Sequence, residues 1–306
     1  MPSLRRVGWA AVLVGTLGAS SCVPRIADTE QPTFTPVIDQ EATPVPLDEA
    51  LARNHSRYVD PRFDDHPLVV TEEYGLETSK LLFDRSDGMI IAEDSLEAQL
   101  RAASLAVFAH VPMITYNDEI HTEINAEINR LGALRVLLVG DVPLAESSGT
   151  YTVFQDPGGR EALGELTAHS FSELVVSEPE HAVEAVTRLD GTEPVLLEPA
   201  WAPTENVPAG DLPALPVATR RDGQNAPVTV ASAQTPIASV ANAQAYGADV
   251  RYLDQPDPRE SETAYVAMAG LHSDALLALG EQFGTNRTLA AAIAEADRAK
   301  GVAEEG

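Results

Sequence analysis

A single cysteine, Cys22, stands among the 306 residues, so no disulfide can form within the chain and stability must come from packed cores. Basic residues are scarce as well: 20 Lys and Arg face 47 Asp and Glu, a net charge of −27. A field of that sign repels phosphate backbones and anionic headgroups, which argues against nucleic acid as a partner and favours cations or cationic surfaces. Beyond the N-terminus no apolar run is long enough to cross a bilayer, so nothing there reads as a membrane span. Catalytic signatures are missing too. The histidines at 55, 66, 110, 121, 169, 181 and 272 show no HExxH or equivalent ligand spacing, no G-x-S-x-G marks a nucleophile, and Gly158-Gly159 lacks the lysine of a phosphate loop. No G-x-G-x-x-G follows the apolar run Gly88–Glu93, which weakens a nucleotide-cofactor reading.

The N-terminus carries an export signal. Met1–Arg6 is short and basic, Val7–Leu17 is mostly apolar, and Ala19-Ser20-Ser21 supplies small residues before Cys22. This resembles a bacterial lipoprotein signal, in which the cysteine is acylated, typically with palmitate, and becomes the first mature residue; Ala19 stands where leucine is usual. The alternative is ordinary secretion with cleavage after Ser21. Either reading makes 1–21 a signal peptide and sends the chain out of the cytoplasm. The first anchors it by lipid alone to the extracytoplasmic face of the cell membrane. Loss of 1–21 removes Arg5 and Arg6 and no acid, so the net charge becomes −29. Residues 22–64 then read as a Pro-rich tether and entry segment, because Pro24, Pro32, Pro36, Pro44 and Pro46 interrupt a run of Thr, Asp, Glu and Ala.

Strand and helix patterns alternate from there. Gly88–Glu93 and Val111–Tyr116 are short apolar runs, as is Leu134–Gly140. Between them lie helical spacings over 96–107 and 120–131, the second opening at Asp118 as N-cap and closing at Gly132. Phe171–Ser177, a helix around His181–Leu189 and Pro194–Glu198 repeat the order; so do Pro227–Ala231, a helix near Pro236–Tyr246 and Ala248–Leu253. The interval Pro199–Pro216 reads as a surface excursion with Trp201 as a docking residue. Two closing helices are expected at Ser273–Phe283 and Leu289–Lys300. Short connections between apolar strands imply parallel pairing with right-handed crossovers. The expected fold is therefore α/β, with parallel sheets covered by helices and built from two or three degenerate Rossmann-like repeat units. One α/β unit spans 65–145, degenerate units follow at 146–256, and a helical segment ends the chain at 257–306.

The first unit resembles the type 2 cell wall-binding repeat of Gram-positive surface proteins. Tyr74-Gly75-Leu76-Glu77-Thr78-Ser79 corresponds to its opening, Leu96–Phe108 to its first helix and Val111-Pro112-Met113-Ile114-Thr115 to its middle strand. Arg130-Leu131-Gly132 matches the helix end, and Val136-Leu137-Leu138-Val139-Gly140 the last strand. Asp141 replaces the second glycine of the closing pair, and Glu97-Ala98-Gln99-Leu100 replaces aspartate-alanine-leucine. The resemblance runs from Glu73 to Gly140 and implies non-covalent association with anionic cell-wall polymers, typically through three tandem units packed as a trimer-like body. It implies no catalysis. The acidic charge opposes such association unless divalent cations bridge it, since no basic cluster exceeds Arg220-Arg221 or Arg298–Lys300.

Parallel strands bring the loops after Glu93, Tyr116 and Gly140 to one sheet edge, where open α/β proteins bind ligands. Glu93, Asp94, Ser95, Asn117, Asp118 and Asp141 are thus the candidate ligand- or partner-binding residues. They could hold a cation such as Ca²⁺ or a basic partner; the competing reading makes them solvated caps and loop ends. Glu119, His121 and Glu123 also cluster, but a helix would turn His121 away from the two carboxylates. No cofactor is expected. Three functions follow in order: a non-enzymatic envelope lipoprotein contacting cell-wall polymer, an envelope scaffold or assembly protein binding a protein or cation through acidic loops, and, last, a secreted hydrolase.

Overall fold

Apolar runs of three to five residues bounded by turn residues are too short for stable helices, and here they become strands. The computed structural model describes residues 31–36, 45–56, 58–63, 66–144, 149–203, 215, 217–218 and 225–302. In chain order the elements begin with α1 (Leu47–His55), β1 (Pro67–Val70), α2 (Leu76–Leu82), β2 (Gly88–Ala92), α3 (Leu96–Ala109) and β3 (Met113–Thr115). Next come α4 (His121–Leu131), β4 (Arg135–Val139), β5 (Thr152–Gln155), α5 (Arg160–Thr167), β6 (Ser172–Val176), α6 (Ala182–Thr187) and β7 (Val195–Pro199). The last group is β8 (Val228–Ala231), α7 (Ile237–Tyr246), β9 (Val250–Tyr252), α8 (Glu262–Met268), β10 (Leu276–Leu279) and α9 (Asn286–Lys300).

Every pairing between these strands is parallel. Two sheets have four strands, in the orders β3-β2-β4-β5 and β9-β8-β10-β1, and a third consists of β6 and β7. Both four-stranded sheets set the second, first and third strands of a local run side by side; the fourth is the next strand in sequence, β5, in one and the distant β1 in the other. The register agrees as well. Tyr116 N donates to Ala92 O at 2.7 Å, Ala200 N to Val176 O at 2.9 Å, and Leu253 N to Ala231 O at 2.8 Å. In all three sheets the residue just past the second strand thus bonds the last carbonyl of the first.

Helices α3, α6 and α7 pack on one another between the sheets. An amphipathic surface helix shows one apolar stripe, whereas α7 is buried at every position and α3 at nearly every one from Ala98 to Ala109. Their Ala- and Ser-rich sequences keep side chains small where helices meet. Most polar groups inside this layer find partners, as burial demands, although Arg101 Nη1 has none. Ser104 Oγ accepts from Leu197 N at 2.9 Å, and Gln244 Nε2 donates to Thr187 O at 2.6 Å. The fully buried Asn242 amide donates to Gly75 O, Thr78 Oγ1 and Met113 O at 2.9–3.0 Å and accepts from Met113 N at 2.7 Å. Its counterpart on α3 is Arg101, at the same sixth helical position, which forms a buried bidentate pair with Asp156 and donates to Gly159 O at 2.9 Å.

Several elements depart from the sequence expectations. Within the tether and entry segment, α1 packs against α8, and Phe63 is buried against Tyr246. Strands β1 and β5 and helices α2, α5 and α8 are elements that the apolar pattern does not delimit. Leu276–Leu279 is a strand rather than part of a helix over 273–283, because β1 and β8 flank it on both sides and bury its four apolar residues completely. The 257–306 segment is therefore not all helical. Asp118 is not an N-cap; it opens a 3-10 turn, Asp118–Ile120, capped by Asn117, whose Oδ1 accepts from Glu119 N at 2.8 Å. Trp201 is half-buried against the core and donates to Glu97 Oε1 at 2.7 Å, so it is not a free docking ring. Cys22 and the signal segment lie outside the described residues, as do Arg220 and Arg221. No helix among the described residues is long and apolar enough to cross a membrane.

Gly75 and Gly132 both hold left-handed backbone, with φ of 84° and 68°, but their surroundings differ. A Cβ at Gly75 would lie 2.6 Å from Ala238 Cβ and 2.9 Å from Met113 O, whereas one at Gly132 would meet nothing within 4 Å. Gly132→Ala should lose about 1 kcal/mol through backbone strain alone, and Gly75→Ala about 3 kcal/mol because overpacking adds to it. Urea unfolding of both variants measures the gap; equal losses would contradict the α2–α7–β3 junction.

Candidate acidic edge of the first sheet

The ends of β2, β3 and β4 share one edge, and carboxylates there accept hydrogen bonds from neighbouring backbone and side-chain donors. Glu93 N donates to Val139 O at 2.8 Å, and Glu93 Oε2 accepts from Asp141 N at 3.0 Å, tying the β2 and β4 loops together. Gly140, at φ 84°, makes room for that carboxylate: a Cβ there would lie 2.6 Å from Glu93 Cβ. Asp94 Oδ1 accepts from Gln99 Nε2 at 3.1 Å, and Ser95 Oγ caps α3 by accepting from Ala98 N at 3.4 Å. Asp118 Oδ1 accepts from the Tyr116 hydroxyl at 2.9 Å, and that hydroxyl lies 3.2 Å from His121 Nδ1.

Glu93 and Asp141 are thus brought together, while Asn117 and Asp118 stand on the other side of β2. Strands β3 and β4 are separated by β2, so their ends are about 10 Å apart, twice the strand spacing. No group of three or more His, Cys, Asp or Glu side chains among the described residues is arranged to hold a metal ion.

A residue not singled out from the sequence sits at the centre of the acidic side. Tyr74 O accepts from Thr115 N at 2.9 Å, which lays this segment beside the end of β3. Its phenol is held above the usual range first by a hydrogen bond to Glu73, then by burial and by the charges of Glu73, Glu119 and Asp94. Tyr74 therefore reports a negative patch formed by three loops. Apolar periodicity could not reveal it, because the phenol joins the patch only through the 72–75 turn. A second missed group is Glu72, which accepts from Glu77 N at 2.6 Å, Thr78 N at 3.1 Å and Ser239 Oγ at 2.8 Å. It clamps the first turn of α2 to α7, and burial pushes its carboxyl up despite these hydrogen bonds.

Elsewhere the buried polar groups are structural. Asp297 accepts from Gly270 N at 3.1 Å and pairs with His272 at 3.2 Å. Beside it the Tyr265 phenol is pushed up to about 12, by burial first and then by Asp297. His110 ends α3 in left-handed backbone, with its Nδ1 2.9 Å from Ala218 O.

Two outcomes test this description. Ser95→Ala should lower stability by about 1 kcal/mol, the usual worth of an N-cap, as read by urea unfolding. For Glu72 the raised folded-state value means that the folded chain takes up a proton at higher pH than the unfolded chain does. Wild type should therefore gain stability relative to Glu72→Gln as pH falls from neutrality toward 4.5, and the difference should level off below it. A flat difference across that window in paired urea titrations would contradict the buried carboxyl.

No family model matches the chain, and no curated protein matches it. A solved structure of Cwp6 from Clostridium difficile is similar, with a TM-score of 0.49 and 15% sequence identity over 76% of this chain and 48% of that one. The match thus spans about half the length of the Cwp6 chain.

Proposed function

We propose that the protein is a non-enzymatic component of the bacterial cell envelope. A lipid on Cys22 holds it to the outer face of the membrane, and its α/β body contacts cell-wall polymer through degenerate copies of a unit resembling the type 2 cell wall-binding repeat. The observation that carries this reading is the common plan of the sheets. The orders β3-β2-β4-β5 and β9-β8-β10-β1 and the three equivalent hydrogen bonds to Ala92, Val176 and Ala231 support three copies of one unit. The residues that resemble the family's repeat lie in the first copy. In the second, the named strands among the described residues are β6 and β7.

Charge sets the mode of contact. With a net charge of −29 once 1–21 is removed, the chain meets an anionic polymer only where divalent cations screen or bridge the two, so affinity rises with calcium and the interaction is weak. The exposed carboxylates of Asp94, Asp118 and Asp141 are the bridging candidates, each able to share an outer-shell cation with the polymer without forming a resident metal site. The same carboxylates favour a second reading, an envelope scaffold that binds a basic protein partner.

The mature chain with Cys22→Ser, incubated with isolated bacterial cell walls with and without calcium at two salt concentrations, tests the first reading. Saturable retention that calcium strengthens is expected. Absence of retention in every condition would overturn wall contact and leave the protein-partner reading.

A further inference from the structure

The two-stranded sheet is completed from an unexpected direction. In the first sheet β2 is flanked by β3 on one side and β4 on the other. The corresponding strand β6 has β7 on one side; on the other lies the segment 31–36, with Thr33 in parallel register with Val175. Val175 N donates to Pro32 O at 2.9 Å, and Phe34 N donates to Val175 O at 2.8 Å. The segment thus takes the place beside β6 that β4 takes beside β2. Chain length gives a reason. The interval 116–171 that joins β3 to β6 holds α4, β4, β5 and α5, whereas the interval 200–227 that joins β7 to β8 is half as long.

The side chains fit a strand. Phe34 and Pro36 are buried, while Thr33 and Thr35 are exposed, the period of two that a sheet imposes. The Phe34 ring lies 6.5 Å from the His181 ring at the head of α6. Gln31 donates to Glu173, which also pairs with Arg160 at 3.3 Å. Pro32 and Pro36 suit an outer strand and no other, since neither can donate to a further neighbour.

We infer that the free edge of β6 is a strand-acceptor site and that residues 31–36 of the same chain are its occupant, an integral strand of the body rather than part of a tether. On the lipid-anchor reading above, only the segment 23–30 then separates Cys22 from the folded body.

The test needs neither lipid nor wall, so its failure and the failure of the wall reading are distinguishable. A protease site is placed at 38–42 in the mature chain with Cys22→Ser, and the cleaved protein is passed over a sizing column. The N-terminal fragment should remain with the body, and the Phe34 and Val175 amides should exchange with solvent at least tenfold more slowly than in the isolated peptide. Phe34→Ala should weaken retention about tenfold or more while Thr35→Ala leaves it unchanged. Immediate loss of the wild-type fragment, unprotected amides, or retention indifferent to Phe34→Ala would each overturn the inference.

Discussion

The side-chain amide of Asn242 joins three parts of the chain that the sequence keeps far apart. From the middle of α7 it bonds both backbone groups of Met113 in β3 and the Gly75 carbonyl and Thr78 hydroxyl at the start of α2. Each of those groups is buried, and an apolar residue of similar size would strip Met113 N–H and C=O of these bonds, at about 1–3 kcal/mol for each group left unpaired, while Gly75 O keeps its bond from Ser79 N. The close approach of α2 and α7 depends on it, and Gly75 permits that approach by lacking a Cβ. Arg101 plays the matching part on α3, where a bidentate pair with Asp156 and a bond to Gly159 hold the start of α5. The central helices are therefore positioned by polar contacts of fixed geometry, with apolar surface supplying the bulk of the stabilisation.

Exchange of strands follows the same logic. β5 belongs in sequence to the run that leads into β6 but pairs with β4, and β1 leads into the first sheet but pairs with β10. The sheet β9-β8-β10-β1 is completed by a strand from far earlier in the chain, whereas β2 to β5 form theirs within 88–155. Contacts between distant parts of the sequence, as between Thr33 and Val175, bind the sheets into one cooperative body. Such a body holds together without disulfides, because opening one sheet disturbs strands paired across the chain.

At the acidic edge, charge and structure pull in different directions. The sequence concentrates carboxylates at loop starts, where they suggest a cation site, yet Glu93, Asp94, Asn117 and Asp118 are engaged by neighbouring donors. Hydrogen bonds of this kind let the chain tolerate its negative charge by turning it to loop geometry. What remains is a negative patch of Glu73, Asp94 and Glu119 near Tyr74, whose phenol it holds above the usual range together with burial.

The class of the fold is written in the order of residues. Strand runs at 88–93, 134–140, 171–177 and 227–231, and helices closed at Gly132 and Gly247, are legible because buried parallel strands are continuously apolar and left-handed caps favour glycine. The loops of the candidate edge can be placed together for the same reason. Other assignments emerge only from packing. Leu276–Leu279 has the same apolar character in a helix or a strand, and its place between β1 and β8 settles the choice. Gln31–Pro36 reads as tether, yet Thr33 pairs with Val175 in β6, far along the chain. Local pattern carries no information about such a partner, because the energy that orders the segment resides in contacts made after the body has folded.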